Sequence, residues 1–101
     1  MARTTIDDLK ARRLGQMSEA ELAEFDATYA ATKLALEVGE QVRDAREAAG
    51  LTQRELASRM GTSQAAIARL EAGGVGATLT TLQKVATALY LEVAVLLRPT
   101  S

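Results

Sequence analysis

Apolar residues recur at intervals of three and four along most of this chain, which is the spacing of one face of an α-helix. In the first half of the chain this stripe passes through Leu22, Phe25 and Tyr29. Gly39 interrupts its continuation, and a glycine inside a helix costs about 1 kcal/mol relative to alanine. The pattern therefore predicts either one long helix broken near Thr32 or Gly39, or two helices in sequence.

Two short helices follow, each with its own start signal. Thr52 and Glu55 have the spacing of a capping box, in which each side chain accepts a hydrogen bond from the backbone N–H of the other residue. Ser63 is a second candidate N-cap. Gly61 lies between the two helices and can adopt the left-handed conformation that ends the first of them.

The end of the chain changes character. A final helix is predicted to open at Thr78 or Thr80. After it, apolar residues alternate through residues 91–97 and Pro99 closes the segment, which predicts a β-strand. Because a lone strand cannot satisfy its own backbone, we expect it to pair with the same strand of a second copy. The other interpretation is a short extended end packed on its own domain.

The amino-acid composition limits the kinds of reaction and ligand that the chain can support. The 101 residues contain no cysteine and no histidine, which removes thiol nucleophiles, disulfides and the usual zinc ligands. Asp7 and Asp8 are paired acids in a poorly patterned N-terminal arm rather than in a recognisable cleft. We therefore expect no enzyme, no metal and no cofactor. No apolar run is long enough to span a bilayer, so we expect no membrane partner and a cytoplasmic location.

The net charge of −1 is unevenly distributed. Residues 1–41 carry five basic and eight acidic side chains, a net charge of −3, whereas residues 42–101 carry seven basic and five acidic side chains, a net charge of +2. A nucleic-acid-binding surface is usually basic. The two parts of the chain are therefore expected to meet different partners.

The run from Leu51 to Gly73, "LTQRELASRMGTSQAAIARLEAG", meets the steric requirements of two helices that cross steeply after a tight turn. Ala57 is small enough for a close crossing, and Gly61 accepts the turn. Ile67 and Leu70 then anchor the second helix. A plain helical hairpin with an alanine- and leucine-rich core is the alternative interpretation.

Together with the preceding "REAAG", this run resembles the Xre/Cro-type helix-turn-helix family. The resemblance covers Arg46 to Leu97 and implies an all-α fold: a lambda-repressor-like domain of about five helices over residues 42–90. Residues 1–41 would form an N-terminal helical extension, and residues 91–101 a short C-terminal β-strand that makes the dimer contact of a homodimer. Double-stranded operator DNA, bound through its major groove, is the implied partner.

The resemblance also implies roles for individual residues. Gln53 is expected to contact phosphate or sugar, Gln64 a base edge with adenine favoured, and Arg69 a guanine or a phosphate. The implied DNA-binding set is Gln53, Thr62, Ser63, Gln64, Ala65, Ala68 and Arg69. Arg46 and Glu71 are expected to form a structural ion pair. Alanine dominates the recognition face, so DNA shape and dimer spacing are expected to carry part of the specificity.

The acidic segment that leads into the domain resembles the HigA-type antitoxins. That resemblance implies a type II antitoxin that represses its own operon and binds a RelE/HigB-like toxin through the N-terminal portion. Leu22, Phe25 and Tyr29 are the candidate toxin contacts. A solvated amphipathic arm is the alternative interpretation of this segment. A stand-alone Xre-type regulator, or a protein-interaction module with the same fold, is the alternative for the whole chain.

Overall fold

The computed structural model describes residues 18–74 and 77–100. Four helices lie in these ranges. They are α1 (Glu19–Ala48), α2 (Gln53–Met60), α3 (Gln64–Glu71) and α4 (Leu79–Ala88). The described residues are therefore all-helical as predicted, with four helices where about five were expected. The poorly patterned N-terminal arm that carries Asp7 and Asp8 lies outside the described residues.

Helix α1 is continuous, so the predicted break near Thr32 or Gly39 is wrong. The segment is rich in alanine, glutamate and leucine and contains no proline, which favours an unbroken helix. It begins after Ser18, whose Oγ accepts a hydrogen bond from the Glu21 N–H at 3.2 Å. The boundary between two compact units falls within α1, between Thr32 and Lys33.

The three shorter helices begin at residues that the sequence marked as helix starts, with Thr78 rather than Thr80 opening the last of them. Thr52 and Glu55 form the capping box in both directions, and Ser63 and Thr78 cap α3 and α4. Gly61 ends α2 with φ +69°. The three-residue turn between α2 and α3 thus has a fixed geometry, because hydrogen bonds close both of its ends.

The core of the second unit is built from one face of each helix. Leu56 of α2 and Ile67 of α3 are the largest fully buried side chains, and burial of each contributes about 1.5–3 kcal/mol. Ala57 is 2% exposed, consistent with a close crossing of α2 and α3. The other buried members of this core are Val42, Leu70, Val85 and Leu89.

Residues 91–100 form neither helix nor strand in the described chain. The strand predicted over residues 91–97 is therefore not present here. A β-strand exists only through hydrogen bonds to a neighbouring strand, and no other part of the described chain is extended beside this segment. Leu91, Val95, Leu96 and Leu97 are all exposed.

Candidate nucleic-acid interface

The exposed face of α3 collects most of the residues expected to read DNA. Thr62, Ser63, Gln64, Ala65 and Arg69 are exposed, whereas Ala68 and Gln53 are partly buried. The buried face of the same helix is anchored by Ile67 and Leu70. A helix held from behind in this way can present its outer side chains to a groove without moving relative to the domain.

A buried ion pair lies behind this face. Arg46 Nε donates to Glu71 Oε2 at 2.7 Å, and Arg46 Nη2 donates to Glu71 Oε1 at 3.0 Å. Arg46 Nη1 donates to the Leu51 carbonyl oxygen at 2.7 Å. The expected Arg46–Glu71 pair is thus present and bidentate, and it ties the end of α1 to the end of α3 and to the loop before α2.

The pair remains charged although it is buried. Burial disfavours the ionised carboxyl of Glu71, but hydrogen bonds from Arg46 and Gln53 outweigh that effect and lower the pKa of Glu71. The hydrogen bond to Glu71 in turn raises the pKa of Arg46. Both shifts favour the charged forms, so the pair holds the domain together at neutral pH.

Gln53 links this pair to the outer face of α3. Its Nε2 donates to Glu71 Oε1 at 3.1 Å, while its Oε1 accepts a hydrogen bond from Gln64 Nε2 at 3.4 Å. The order of contacts is Arg46, Glu71, Gln53, Gln64, from the interior to the surface. A chain of hydrogen bonds thus orients the side-chain amide of Gln64, including its carbonyl oxygen.

Ser63 is exposed and also forms the N-cap of α3. Its Oγ accepts a hydrogen bond from the Ala66 N–H at 3.2 Å and so caps α3. The hydroxyl proton remains able to donate to an outside acceptor. A phosphate placed at this helix end would meet that proton together with the free N–H groups of the first turn.

The N-terminal part of the domain supplies a support for α3 that sequence reasoning missed. Gly39 is buried, and a Cβ added to it would lie 2.5 Å from the Glu71 carbonyl oxygen and 2.7 Å from that of Leu70. A Cβ at Gly73, the residue that follows the end of α3, would lie 2.6 Å from the Leu36 side chain. The spacing of Leu36, Gly39 and Val42 on one helical face was the available signal.

The described residues contain no helix long and apolar enough to cross a membrane. The same parts of the chain hold no cluster of acidic side chains that could bind a metal ion. The polar side chains exposed on α3 and at its N-cap carry hydroxyl, amide and guanidinium groups, in Ser63, Gln64 and Arg69.

Comparison with known proteins assigns this architecture. A family model described as helix-turn-helix matches residues 42–96, which is more than half of the chain. The match begins inside α1 and includes α2, α3 and α4. A search of the curated proteins gave no significant match. The matched region and the observed helices show that the chain belongs to the Xre-type, lambda-repressor-like helix-turn-helix family of DNA-binding regulatory domains.

Proposed function

We propose that this protein is a sequence-specific transcriptional repressor that binds operator DNA as a homodimer, with α3 in the major groove. The observation that carries the proposal is the hydrogen-bonded chain from the buried Arg46–Glu71 pair through Gln53 to Gln64. Such a chain orients one amide at the start of an exposed helix. An amide held there is suited to the paired donor and acceptor that adenine presents in the major groove.

The neighbouring residues have complementary roles in this proposal. Gln53 and Ser63 lie at helix N-termini, where N–H groups and the helix dipole favour a phosphate. Thr62 adds a hydroxyl beside them, and Ala65 offers a methyl group to a thymine methyl. Arg69 is exposed one helical turn beyond Ala65 and meets either a guanine or a phosphate.

Few long side chains project from α3, so base contacts supply only part of the specificity. Ala65 and Ala68 carry no hydrogen-bonding group. The remaining discrimination would come from DNA shape and from the spacing of the two half-sites set by a dimer. A repressor of this kind recognises a two-fold symmetric operator.

The test is a fluorescence-anisotropy titration against the DNA upstream of the protein's own coding sequence, at several salt concentrations. Gln64→Ala is expected to weaken binding about 5- to 150-fold, the equivalent of about 1–3 kcal/mol for one base contact. Gln41→Ala, an exposed glutamine of α1, is the matched control and should leave the affinity unchanged. Binding that does not depend on salt, or no binding, would refute the proposal and favour a protein-interaction module.

Arg69→Ala separates the two roles considered for that residue. If Arg69 contacts phosphate, its loss lowers the salt slope by about one and weakens all sequences alike. If it contacts guanine, its loss relaxes the preference at one base position. Arg43→Ala, an exposed arginine of α1, controls for the general effect of removing a positive charge.

A second activity, that of an antitoxin, is favoured by the part of α1 outside the family match. Between residues 18 and 41 this helix carries six acidic side chains and one basic side chain, Lys33. Leu22 and Phe25 are partly buried and Tyr29 is 52% exposed. A cationic RNA-directed toxin of the RelE/HigB-like class would be steered onto such a surface by its charge, with the aromatic side chains as anchors.

Co-purification with a small basic protein encoded beside this chain tests the antitoxin activity. Residues 1–32 are the segment to delete, because Leu36 and Gly39 pack on the end of α3 and their loss would disturb DNA binding as well. Loss of the partner with retained DNA binding would support the antitoxin activity. A neighbouring toxin that does not bind the full chain would contradict it and leave a stand-alone regulator.

A further inference from the structure

An open groove lies between the end of α2 and the last turns of α4, hereafter the α2–α4 groove. Its volume is about 680 Å³, within the range of about 300–1,000 Å³ that is usual for pockets that bind small molecules. Its lining comes from α2 through Arg59 and Met60, and from α4 through Gln83, Lys84, Thr87 and Ala88. None of the residues expected to bind DNA lines this groove.

The charge of the groove is positive. Arg59 and Lys84 line it, and none of the described residues around it is acidic. Glu55 lies one helical turn before Arg59, but its carboxylate accepts a hydrogen bond from the Thr52 N–H and is therefore held toward the other end of α2. Within the described chain, neither Arg59 nor Lys84 forms an ion pair. An anion in the groove would therefore meet two cations that have no salt-bridge partner.

Two polar side chains of the groove are already oriented by hydrogen bonds. Arg59 Nη1 donates to the carbonyl oxygen of Ala88, the last residue of α4, at 3.3 Å. A guanidinium held in this way has further N–H groups for a carboxylate or a phosphate, and it loses less conformational freedom when the anion binds. Thr87 Oγ1 accepts a hydrogen bond from Gln83 Nε2 at 3.4 Å, so its hydroxyl proton can donate to the same anion.

The remaining lining is apolar or aromatic. Met60 and Ala88 are its partly buried members. Tyr90 also lines the groove, and its backbone has the left-handed conformation with φ +58°. The hydrogen bond from the Leu91 N–H to the Ala86 carbonyl oxygen, at 2.8 Å, closes this turn. Because the Tyr90 side chain is 91% exposed, its ring is open to stacking by the flat ring of a ligand.

The geometry points to the α2–α4 groove as the binding site of one small molecule that carries an anionic group on an aromatic ring system, either an aromatic carboxylate or a nucleoside monophosphate. Arg59 and Lys84 bind the anionic group, and Thr87 donates a hydrogen bond to it. Tyr90 stacks on the ring. The two cations select a negative charge, and the apolar lining selects an apolar body. This site is separate from the exposed face of α3 and does not rest on the proposed function.

The length of the groove limits the size of its occupant. Residues 83–88 of α4 extend over about 8 Å along the helix axis, which is the length of two fused rings with an anionic group rather than of a folded partner. A stable protein interface needs about 20–30 residues from each side, more than this lining supplies. Most of the lining residues are exposed, so we expect a Kd of about 1 mM for a ligand of about 10–25 non-hydrogen atoms.

Titration of the isotope-labelled full chain, followed by amide NMR spectra, tests the site. The probes are naphthoate and adenosine monophosphate, which combine a flat ring system with different anionic groups. Each should shift the amide signals of Arg59, Met60 and residues 83–90 until the shift saturates. The probe that binds more tightly identifies the anionic group as carboxylate or phosphate. Naphthalenemethanol, which lacks the charge, and inorganic phosphate, which lacks the ring, should each bind at least fivefold more weakly than that probe.

Four variants separate this site from a general attraction of anions. Lys84→Gln removes an exposed cation that forms no ion pair in the described chain and should raise the Kd of both probes at least fivefold, as should Arg59→Gln. Tyr90→Gly should weaken the binding of both probes and leave that of inorganic phosphate unchanged. Arg54→Gln, the matched control, removes an exposed arginine near the other end of α2 and should leave the Kd within twofold.

Three results would overturn the assignment: no saturable shift with either probe, shifts that fall on α3 instead of the groove, or equal weakening by Lys84→Gln and Arg54→Gln. Inorganic phosphate that binds as tightly as the probes would overturn it as well, because the groove would then accept any anion. A melting curve gives an independent measure. The tighter probe should raise the melting temperature of the unmodified chain and of Arg54→Gln more than that of Lys84→Gln, because a ligand stabilises the folded state that binds it.

Discussion

Gly39→Ala is the substitution whose outcome best separates local helix propensity from tertiary packing. Gly39 lies in the middle of α1, and alanine is favoured over glycine in a helix interior by about 1 kcal/mol. Propensity alone therefore predicts a stabilised protein. The structure predicts the opposite sign, because α1 approaches the end of α3 at this position with no room for a side chain.

The magnitude follows from the distances. The added Cβ would lie 2.5 Å from the Glu71 carbonyl oxygen and 2.7 Å from that of Leu70, whereas carbon and oxygen atoms in contact are about 3.3 Å apart. Both obstacles are backbone atoms, so α1 and α3 must separate locally by about 0.8 Å. Overpacking of this kind costs about 1–3 kcal/mol.

The same displacement affects the ion pair. Arg46 Nε and Glu71 Oε2 join these two helices at 2.7 Å, and a separation of 0.8 Å would lengthen that distance to about 3.5 Å, beyond a good hydrogen bond. A hydrogen bond to a charged group contributes about 1.5–3 kcal/mol. After subtracting the propensity gain, we expect Gly39→Ala to lower the free energy of unfolding by about 3 kcal/mol.

Urea unfolding followed by circular dichroism measures this change. An unaltered m-value checks that both proteins expose the same surface area when they unfold. Gln41→Ala, two residues away and exposed, is the matched control and should lie within about 0.5 kcal/mol of the unmodified chain. A Gly39→Ala protein as stable as the unmodified chain, or more stable, would show that the close approach of α1 and α3 is not a constraint.

Four further measurements probe the supports of the site. Arg46→Ala should cost about 3–5 kcal/mol in urea unfolding, since it leaves the Glu71 carboxylate buried and unpaired; the double variant Arg46→Met with Glu71→Leu should recover most of that loss. Because the pKa of Glu71 is lowered in the folded state, its contribution is complete above its ordinary pKa of about 4.3 and is lost as the pH falls through the folded value. Stability should therefore decline below about pH 4.3, and less steeply in Glu71→Gln; equal slopes would refute the assignment. Thr52→Ala should cost about 1 kcal/mol through loss of the α2 cap, whereas Thr80→Ala, which caps no helix, should have little effect. Gly61→Ala should also cost about 1 kcal/mol, because φ is +69° although no atom lies within 4 Å of the new Cβ; an unchanged melting curve would contradict that origin.

The sequence by itself determined the local features of the domain. The starts of α2 at Thr52 and of α3 at Ser63 follow from side-chain oxygens that accept hydrogen bonds from backbone N–H groups three residues away. The turn at Gly61 follows from the ability of glycine to adopt a positive φ. The inward positions of Leu56, Ile67 and Leu70 follow from helical periodicity. These properties depend on neighbours along the chain, so a single sequence is sufficient to predict them.

Tertiary structure decided what depends on distant neighbours. Sequence reasoning treated Gly39 as a weak point in a helix, and only the approach of α3 reveals why a glycine is needed there. The bridge from Glu71 through Gln53 to Gln64 requires three helix ends to converge, and neither partner of Gln53 was apparent from the sequence.

The end of the chain shows the same division. Alternating apolar residues after Leu91 predicted a strand, but strand geometry requires a second strand to pair with, and the described chain contains none. The left-handed conformation of Tyr90 could not be predicted from the sequence either, because tyrosine has no preference for that conformation. Helix caps and turns are determined by contacts within a few residues, whereas close approaches, bridging hydrogen bonds and strand pairing depend on surfaces that folding or association brings together.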